Sequence, residues 1–117
     1  MGKTYYHCPI EAIVDVIGGK WKALILWHLQ DQTRRPSELK RLIPGITQKM
    51  LVQQLKALEK LGMIKRIVYA QVPPRVEYSM TLAGGKLKPF LQDMCSWGRV
   101  YVDSLEIQRR EMVVGFD

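Results

Sequence analysis

The chain has 117 residues, of which 47% are hydrophobic and 25% are charged, so it is long enough for one domain with one modest core. The longest apolar run, residues 23 to 27, is far too short to cross a bilayer. The first nine residues, MGKTYYHCP, lack the apolar core of a signal peptide. Length and composition therefore exclude a membrane-spanning protein and predict a cytoplasmic location.

The formal net charge of +7 is concentrated in the middle of the chain. Between residues 34 and 88, twelve Lys or Arg stand against three acids, which gives +9, and the remaining residues sum to −2. A concentrated basic block suits a polyanion, because Lys and Arg displace the counterions that surround phosphates. The charge favours a nucleic-acid partner over the alternative of a basic surface that is merely solvated.

Four helices are predicted in the first half of the chain. Pro9 begins a helix that reaches Val16, and a second helix spans residues 20–29. A third covers residues 38–43, with Ser37 as its cap. Thr47 caps the fourth helix, which closes at Gly62. The third and fourth helices, joined by a short turn that contains Gly45, have the order of a helix-turn-helix.

A hairpin and a long helix are predicted in the second half. Two strands, residues 63–69 and 75–80, flank a tip that contains two prolines. Thr81 is predicted to cap a last helix that reaches about residue 110, and Pro89 is expected to bend or break that helix near Gly84-Gly85. The whole order predicts a mainly α fold with a small β-hairpin (α+β), a winged helix-turn-helix. We expect one domain over residues 1–117, with the helix-turn-helix at about 37–61, the wing at about 63–81 and the last helix at about 82–110.

The fourth predicted helix has two different faces. Leu51, Leu55 and Leu58 fall on one side at 100° per residue, whereas the opposite side carries Lys and Gln and almost no acid. Gln pairs with adenine, Lys with guanine or phosphate, and Val contacts a thymine methyl group. On the hairpin, Arg75 follows the stiff tip and suits a wing on the DNA backbone or in the minor groove. The residues predicted to contact DNA are Ser37, Thr47, Gln48, Lys49, Val52, Gln53, Lys56, Lys65, Arg66 and Arg75.

Three segments together resemble the HxlR-type transcriptional regulators, which are relatives of the MarR group. They are CPIEAIVDVIGGKWKALIL, LKRLIPGITQKMLVQQLKALEKLGMIKR and VPPRVEYSMTLAGGKL, the last followed by Trp97-Gly98. The resemblance covers nearly the whole chain. It implies a bacterial homodimeric repressor or activator that binds inverted repeats, with Gln48, Lys49, Gln53 and Arg75 facing DNA. A basic winged helix that binds an acidic protein instead of DNA is the alternative.

The resemblance also implies that the first and last helices form the dimer, and the last helix carries a matching apolar stripe. A long stripe on a small domain needs a partner surface. A two-fold dimer places its recognition helices about 34 Å apart, one turn of DNA. The residues predicted at the dimer interface are Leu87, Phe90, Leu91, Met94, Trp97, Tyr101 and Leu105.

Cys8 is the residue that the sequence singles out as a redox sensor. It precedes Pro9 at the start of a helix, where the helix dipole favours a thiolate. The resemblance implies sensing of an oxidant or electrophile through an N-terminal cysteine, so an oxidant or a small-molecule effector is an expected partner. For Cys8 and for Cys95 on the last helix, the alternative is a small apolar residue without a redox role.

Other chemistry is not indicated by the residue pattern. Two cysteines 87 positions apart and two histidines form no metal-ligand spacing. The glycines form no phosphate-binding loop, and no acid–base pair is recognisable. We therefore expect no metal, no cofactor and no enzymatic activity.

Overall fold

The computed structural model describes the backbone of residues 5–116 and the side chains of residues 5–109. Over this part of the chain, helices and one two-stranded antiparallel sheet follow the predicted order. The elements are α1 (Pro9–Ile17), α2 (Lys22–Leu29), α3 (Pro36–Leu42), α4 (Gln48–Lys60), β1 (Ile64–Tyr69), β2 (Arg75–Met80), α5 (Leu82–Gly85) and α6 (Lys88–Phe116).

The start of α3 differs from the prediction that Ser37 caps it. The helix begins at Pro36, whose fixed φ and missing N–H suit the first helical position. Arg35 is the cap residue, and its backbone N–H donates to the Glu38 carboxylate at 2.7 Å. The prediction for Ser37 as a cap was therefore wrong, and this residue lies exposed in the first turn.

Both predicted ends of α4 are confirmed. The Thr47 hydroxyl accepts a hydrogen bond from the Met50 backbone N–H at 3.1 Å, which satisfies one of the free donors at the helix start. After the last turn, Gly62 has φ +81°, a left-handed conformation that costs glycine little. The turn between α3 and α4 likewise contains Gly45 at φ +87°. Local signals thus position the second helix of the motif.

The hairpin pairs Ile64 with Met80 at its base and Tyr69 with Arg75 at its tip. An isolated antiparallel bridge between Arg34 and Tyr78 adds a short third segment on the other side of β2, which was not predicted. Arg34 and Tyr78 exchange two backbone hydrogen bonds, at 2.9 and 2.8 Å. This bridge ties the wing to the segment that precedes α3.

The connection from the wing to the last helix has two helices rather than one. Thr81 caps α5, since its hydroxyl accepts from the Gly84 backbone N–H at 3.0 Å, so it does not cap the long helix as predicted. A Cβ on Gly84 would lie 2.0 Å from the Met63 carbonyl oxygen, so only glycine fits there. The predicted break is confirmed after Gly85, and Pro89 falls in the first turn of α6, where a missing N–H is tolerated. The backbone of α6 continues past residue 110, the predicted end, to Phe116.

The core surrounds α2, whose Ile25 and Leu26 have no exposed surface. Leu91 of α6 is 3% exposed and belongs to this core, so it has little surface left to offer the dimer interface at which it was predicted. The reason is its place near the start of α6, where that helix packs on α2. The buried hydrophobic residues are Ile25, Leu26, Leu29, Leu39, Ile43, Ile46, Leu51, Leu55, Leu58, Ile64, Tyr78 and Leu91.

Candidate nucleic-acid interface

An open cleft of about 740 Å³ lies between α3, the start of α4 and the wing. It exists because the core holds α3 against α4 while the Arg34–Tyr78 bridge holds the wing beside α3. The residues that line this cleft are Arg35, Pro36, Ser37, Lys40, Arg41, Gln48, Gln71, Pro73, Pro74, Arg75 and Val76.

The lining of this cleft is strongly basic. Its described lining holds four cations, Arg35, Lys40, Arg41 and Arg75, and no carboxylate. Such a concentration of positive charge in a concave surface attracts polyanions. The cleft therefore has the charge and shape to hold a phosphate backbone.

Three of the predicted DNA-binding residues, Ser37, Gln48 and Arg75, meet in this cleft. Arg35, Lys40 and Arg41 were missed by the sequence analysis. A signal for the last two was available, because Ser37, Lys40 and Arg41 have the spacing that places residues on one face of a helix. Arg35 gave no such signal, since it precedes the helix.

Further predicted residues lie along the outer face of α4. Lys49, Gln53 and Lys56 are exposed, and Val52 is 38% exposed. The opposite face is held in the core by Leu51, Leu55 and Leu58, and Thr47 lies exposed at the cap. The helix therefore presents a fixed row of amide, ammonium and methyl groups that continues from the cleft.

The wing holds its arginine in place. The Arg75 Nε donates to Oε2 of Glu77 at 2.8 Å, and its Nη2 donates to the same oxygen. The guanidinium also lies 5.3 Å from the centre of the Tyr69 ring. The hydrogen bond from Arg75, above other causes, lowers the pKa of Glu77 from its ordinary value.

Lys65 and Arg66 are both exposed, but they lie on opposite faces of β1 because side chains alternate along a strand. Residues paired directly across the hairpin share a face, so Lys65 lies on the same face as Arg75, nearer the base of the hairpin, whereas Arg66 shares the face of Tyr78. Of the two predicted contacts, only Lys65 has the orientation of the wing arginine.

Away from the cleft, α1 and α6 carry the exposed apolar residues. Ile10 and Val14 on α1 are 61% and 56% exposed. On α6, Trp97 and Tyr101 stack with ring centroids 5.4 Å apart and remain 68% and 51% exposed. The other predicted interface residues with exposed surface are Phe90, Met94 and Leu105, and Leu87 is half-buried.

The two cysteines lie in different environments. Cys8 is exposed at the cap of α1, where its backbone N–H donates to the Glu11 carboxylate at 3.1 Å. Cys95 is half-buried on α6, 4.0 Å from the Arg99 guanidinium. Among the described residues, no group of three or more His, Cys, Asp and Glu side chains is placed to hold a metal ion. No helix in the same part of the chain is long and apolar enough to span a membrane.

Comparison with known proteins agrees with this architecture. The model of the HxlR-like helix-turn-helix family matches residues 16–106. The uncharacterized HTH-type transcriptional regulator YkvN of Bacillus subtilis (strain 168) is 53% identical over 98 residues, which cover 84% of this chain and 83% of that protein.

Solved structures share the fold as well. The redox regulator HypR in its reduced form has a TM-score of 0.80 and 47% identity, covering 85% of this chain and 98% of that one. Its oxidized form has a TM-score of 0.77 and 48% identity, covering 80% and 96%. A transcriptional regulator of the MarR family from Porphyromonas gingivalis W83 has a TM-score of 0.76 and 39% identity, covering 85% and 97%.

These relatives are named as regulators and not as enzymes, which agrees with the prediction that this chain is not an enzyme. The predicted α+β fold, a winged helix-turn-helix, is also confirmed. The chain belongs to the HxlR-like helix-turn-helix family, and it is a transcriptional regulator with a helix-turn-helix DNA-binding fold.

Proposed function

We propose that this chain acts in the cytoplasm as a homodimer that binds an inverted-repeat DNA operator with sequence specificity. The basic cleft carries the proposal, because it places Gln48 at the start of α4 beside Arg75 of the wing. In this arrangement α4 enters the major groove and the wing follows the backbone or the minor groove. Arg35, Lys40 and Arg41 hold the strand of phosphates between them.

The outer face of α4 supplies the groups for base recognition. Gln48 and Gln53 donate to and accept from adenine, and Lys49 donates to guanine or to a phosphate. Val52 contacts a thymine methyl group, and Lys56 and Lys65 add phosphate contacts. Thr47 and Ser37, exposed at the two helix starts, are placed to donate to phosphate oxygens. Arg66, on the other face of β1, stays a prediction.

The dimer is supported by the exposed apolar residues of α1 and α6. A 29-residue helix is about 43 Å long, and from residue 92 to residue 109 only Cys95 and Gly98 are partly covered. Burying the exposed apolar side chains of α6 against a second copy is favourable by roughly 25 cal/mol for each Å² removed from water. In a two-fold dimer that reads successive major grooves, the two α4 helices lie about 34 Å apart.

A binding titration tests this proposal. The purified protein is titrated against a fluorescent duplex from its own upstream region and against an unrelated duplex, at two salt concentrations. We expect tight, sequence-preferring binding that weakens steeply with salt. Lys49→Ala and Arg75→Ala weaken binding while the dimer persists, and Lys86→Ala, exposed outside the cleft lining, serves as the control.

Two results would count against the proposal. Unchanged affinity in both Lys49→Ala and Arg75→Ala would refute the assignment of the contact residues. Equal, weak binding of the wild-type protein to every duplex would favour the alternative, a basic winged helix that binds an acidic protein partner.

A redox response through Cys8 is a second candidate function. Its thiol is exposed at the cap of α1, beside the apolar residues proposed for the dimer, and HypR, a similar protein, is named a redox regulator. The Cys8 thiolate adds to a ring carbon of a quinone, one ring oxygen takes up a proton from water, and the hydrogen on the attacked carbon moves by way of water to the other oxygen, which gives a hydroquinone thioether. An adduct at this position alters how α1 meets the partner subunit and so the spacing of the two α4 helices.

Quinone treatment of the protein–DNA complex tests this response. We expect DNA affinity to fall in the wild-type protein and in Cys95→Ser, and to stay unchanged in Cys8→Ser. Mass spectrometry of the treated protein identifies which cysteine carries the adduct. An equal loss of affinity in Cys8→Ser would remove Cys8 from the mechanism.

A further inference from the structure

The wing contains an acid where the proposed function leads one to expect none. Glu77 is 9% exposed and is the one buried charged residue among those that the structure describes. It lies on β2, two residues after Arg75, within a region that otherwise carries excess positive charge. A carboxylate this close to a phosphate backbone is repelled by it, so some compensating role is needed to explain its presence.

The surroundings of Glu77 indicate that role. Its Oε2 accepts from Nε of Arg75 at 2.8 Å and also from Nη2 of that residue. Tyr69, on the same face of the hairpin, acts with Arg75 to lower the pKa of this carboxyl group. The positive charge of Arg35 lies close enough to act on it as well. These cations and hydrogen bonds keep Glu77 ionised, so it is a permanent partner for the wing arginine.

The contact leaves most of the arginine's donors free. A guanidinium has five N–H donors in one rigid plane, and Glu77 uses one edge of it, the Nε and one Nη2 donor. The Arg75 side chain is 42% exposed and lines the cleft, whereas the Glu77 side chain is 12% exposed. The Tyr69 ring lies against the same guanidinium. The guanidinium is thus held by both Glu77 and Tyr69, and its remaining donors have no acceptor among the described residues.

We propose that Glu77 is a positioning residue, which fixes the guanidinium of Arg75 so that its free donors meet an acceptor oxygen or nitrogen of the DNA. The inference rests on the proposed function. An arginine held in its bound orientation loses less rotamer freedom when it binds, so the fixed contact strengthens binding at the correct site. Glu77 also offsets the charge of Arg75, which lowers attraction to DNA of any sequence.

Positioning and simple electrostatics predict opposite signs for Glu77→Gln. The substitution removes one negative charge and keeps the shape of the side chain. If charge alone mattered, the variant would bind every duplex more tightly. If Glu77 positions Arg75, the variant instead binds the operator more weakly, although it has lost a negative charge.

The experiment compares two duplexes, one selected by the wild-type protein from a random-sequence pool and one of unrelated sequence. We expect Glu77→Gln to weaken binding to the selected duplex about tenfold, the scale of one well-made arginine contact. In an Arg75→Ala background the same substitution should cause no further loss, because the residue it positions is gone. A loss on both duplexes would identify the acceptor as a phosphate, and a loss on the selected duplex alone would identify it as a base edge.

Arg75→Lys is the second variant. It keeps the charge but cannot make the two-nitrogen contact, so we expect a similar loss on the selected duplex. In the free protein, the NMR signal of the Arg75 Nε–H should be visible in the wild type and lost by solvent exchange in Glu77→Gln. That measurement tests the positioning without DNA.

Three outcomes would overturn the inference. They are unchanged or tighter binding of Glu77→Gln to the selected duplex, a loss that persists in the Arg75→Ala background, and an Arg75 Nε–H signal that is the same with and without Glu77. Failure of the wild-type protein to select any sequence is a different result, since it would refute the proposed function itself.

Discussion

The half of the molecule that contains the helix-turn-helix and the wing packs one side of α4 into the chain's own core, whereas the half that contains α6 leaves most apolar residues of that helix exposed. On α4, Leu51, Leu55 and Leu58 have at most 2% exposed surface. On α6, Trp97 and Val100 each remain 68% exposed. The first half therefore presents polar groups on a rigid support, while the second presents apolar groups that need a second surface.

This difference separates two kinds of information in the sequence. On α4, the chain's own core covers the leucine stripe. The sequence pattern of this helix therefore predicts both how it packs and which acid-free face remains for contact. On α6, the apolar stripe predicts only that another surface covers it. A second copy of the chain is the surface that satisfies the proposed two-fold symmetry. The following predictions separate these two kinds of role.

The largest effect is expected from Leu55→Ala in α4, whose side chain is 2% exposed. Removing it leaves a cavity among the other core leucines and should lower the free energy of unfolding by about 2–5 kcal/mol, measured by urea denaturation. Lys56→Ala is the matched control on the same helix, because its side chain is exposed. We expect Lys56→Ala to change stability by less than about 0.5 kcal/mol and yet to weaken DNA binding. Equal stability of the two variants would contradict the separation of faces.

The second effect concerns the α6 half. Tyr101→Asp places a charge on the exposed stacked pair and should convert the proposed dimer to a folded monomer, as measured by analytical ultracentrifugation and circular dichroism. Since a monomer holds one half-site only, operator affinity should fall about a hundredfold or more. Leu82→Asp is the control, because Leu82 is 85% exposed and lies on α5. A dimer that survives Tyr101→Asp with unchanged stability would remove α6 from the interface.

Residues close in sequence were enough to predict α4, the helix that carries much of the site. The residues that the sequence analysis missed are brought to the site by contacts between distant parts of the chain. Thr47 and Gly62 act on their own helix end, so α4 could be placed from the residues beside it. Arg35 enters the cleft only because the wing folds back beside α3, which depends on the Arg34–Tyr78 bridge across more than forty positions. No periodic pattern in the sequence carries that contact.

Two further features of the structure were likewise left open by the sequence pattern. The stripe on α6 treats Leu91 and its neighbours alike, although the first turns of that helix pack on α2 and cover Leu91. Glu77 counts in the sequence as one of few acids in a basic block, and its pairing with Arg75 becomes visible only when both side chains are placed on one face of β2. Periodicity identifies a face but does not say which surface covers it.

A smaller effect tests one of the residues that the sequence analysis missed. Arg41→Ala removes a cation from the cleft lining, so binding should weaken by a similar factor on every duplex, and the salt dependence should fall by about one unit of slope. Filter-binding or fluorescence titrations over a range of salt concentrations measure both quantities. Lys86→Ala, exposed and outside that lining, should leave the slope unchanged. A change of sequence preference in Arg41→Ala, in place of a uniform loss, would assign this residue to base recognition.

The smallest effect is expected from His28, half-buried on α2 in the self-contained half of the molecule. Burial lowers the pKa of His28 from its ordinary value of 6.5, and the positive charge of Arg34 lowers it further. Arg34 is fixed nearby, since its Nε donates to the His28 carbonyl oxygen at 2.6 Å. The unfolded chain therefore binds more protons than the folded one at pH values between the folded pKa and 6.5.

The stability that neutral His28 contributes is fully present above pH 6.5, its ordinary pKa. It is lost as the pH falls from there towards the lowered pKa of the folded protein. Glu77 has its own window at lower pH, because its pKa is also lowered and its contribution is lost only as the pH falls below the ordinary value of 4.5. Urea unfolding at a fixed protein concentration, at about pH 7.5 and about pH 5.5, isolates the histidine. His28→Gln cannot titrate, so its free energy of unfolding should fall less between the two pH values than that of the wild type. An equal fall in both proteins would mean that acid weakens the fold elsewhere, and the α6 half, where the dimer is proposed to form, would be the next region to test.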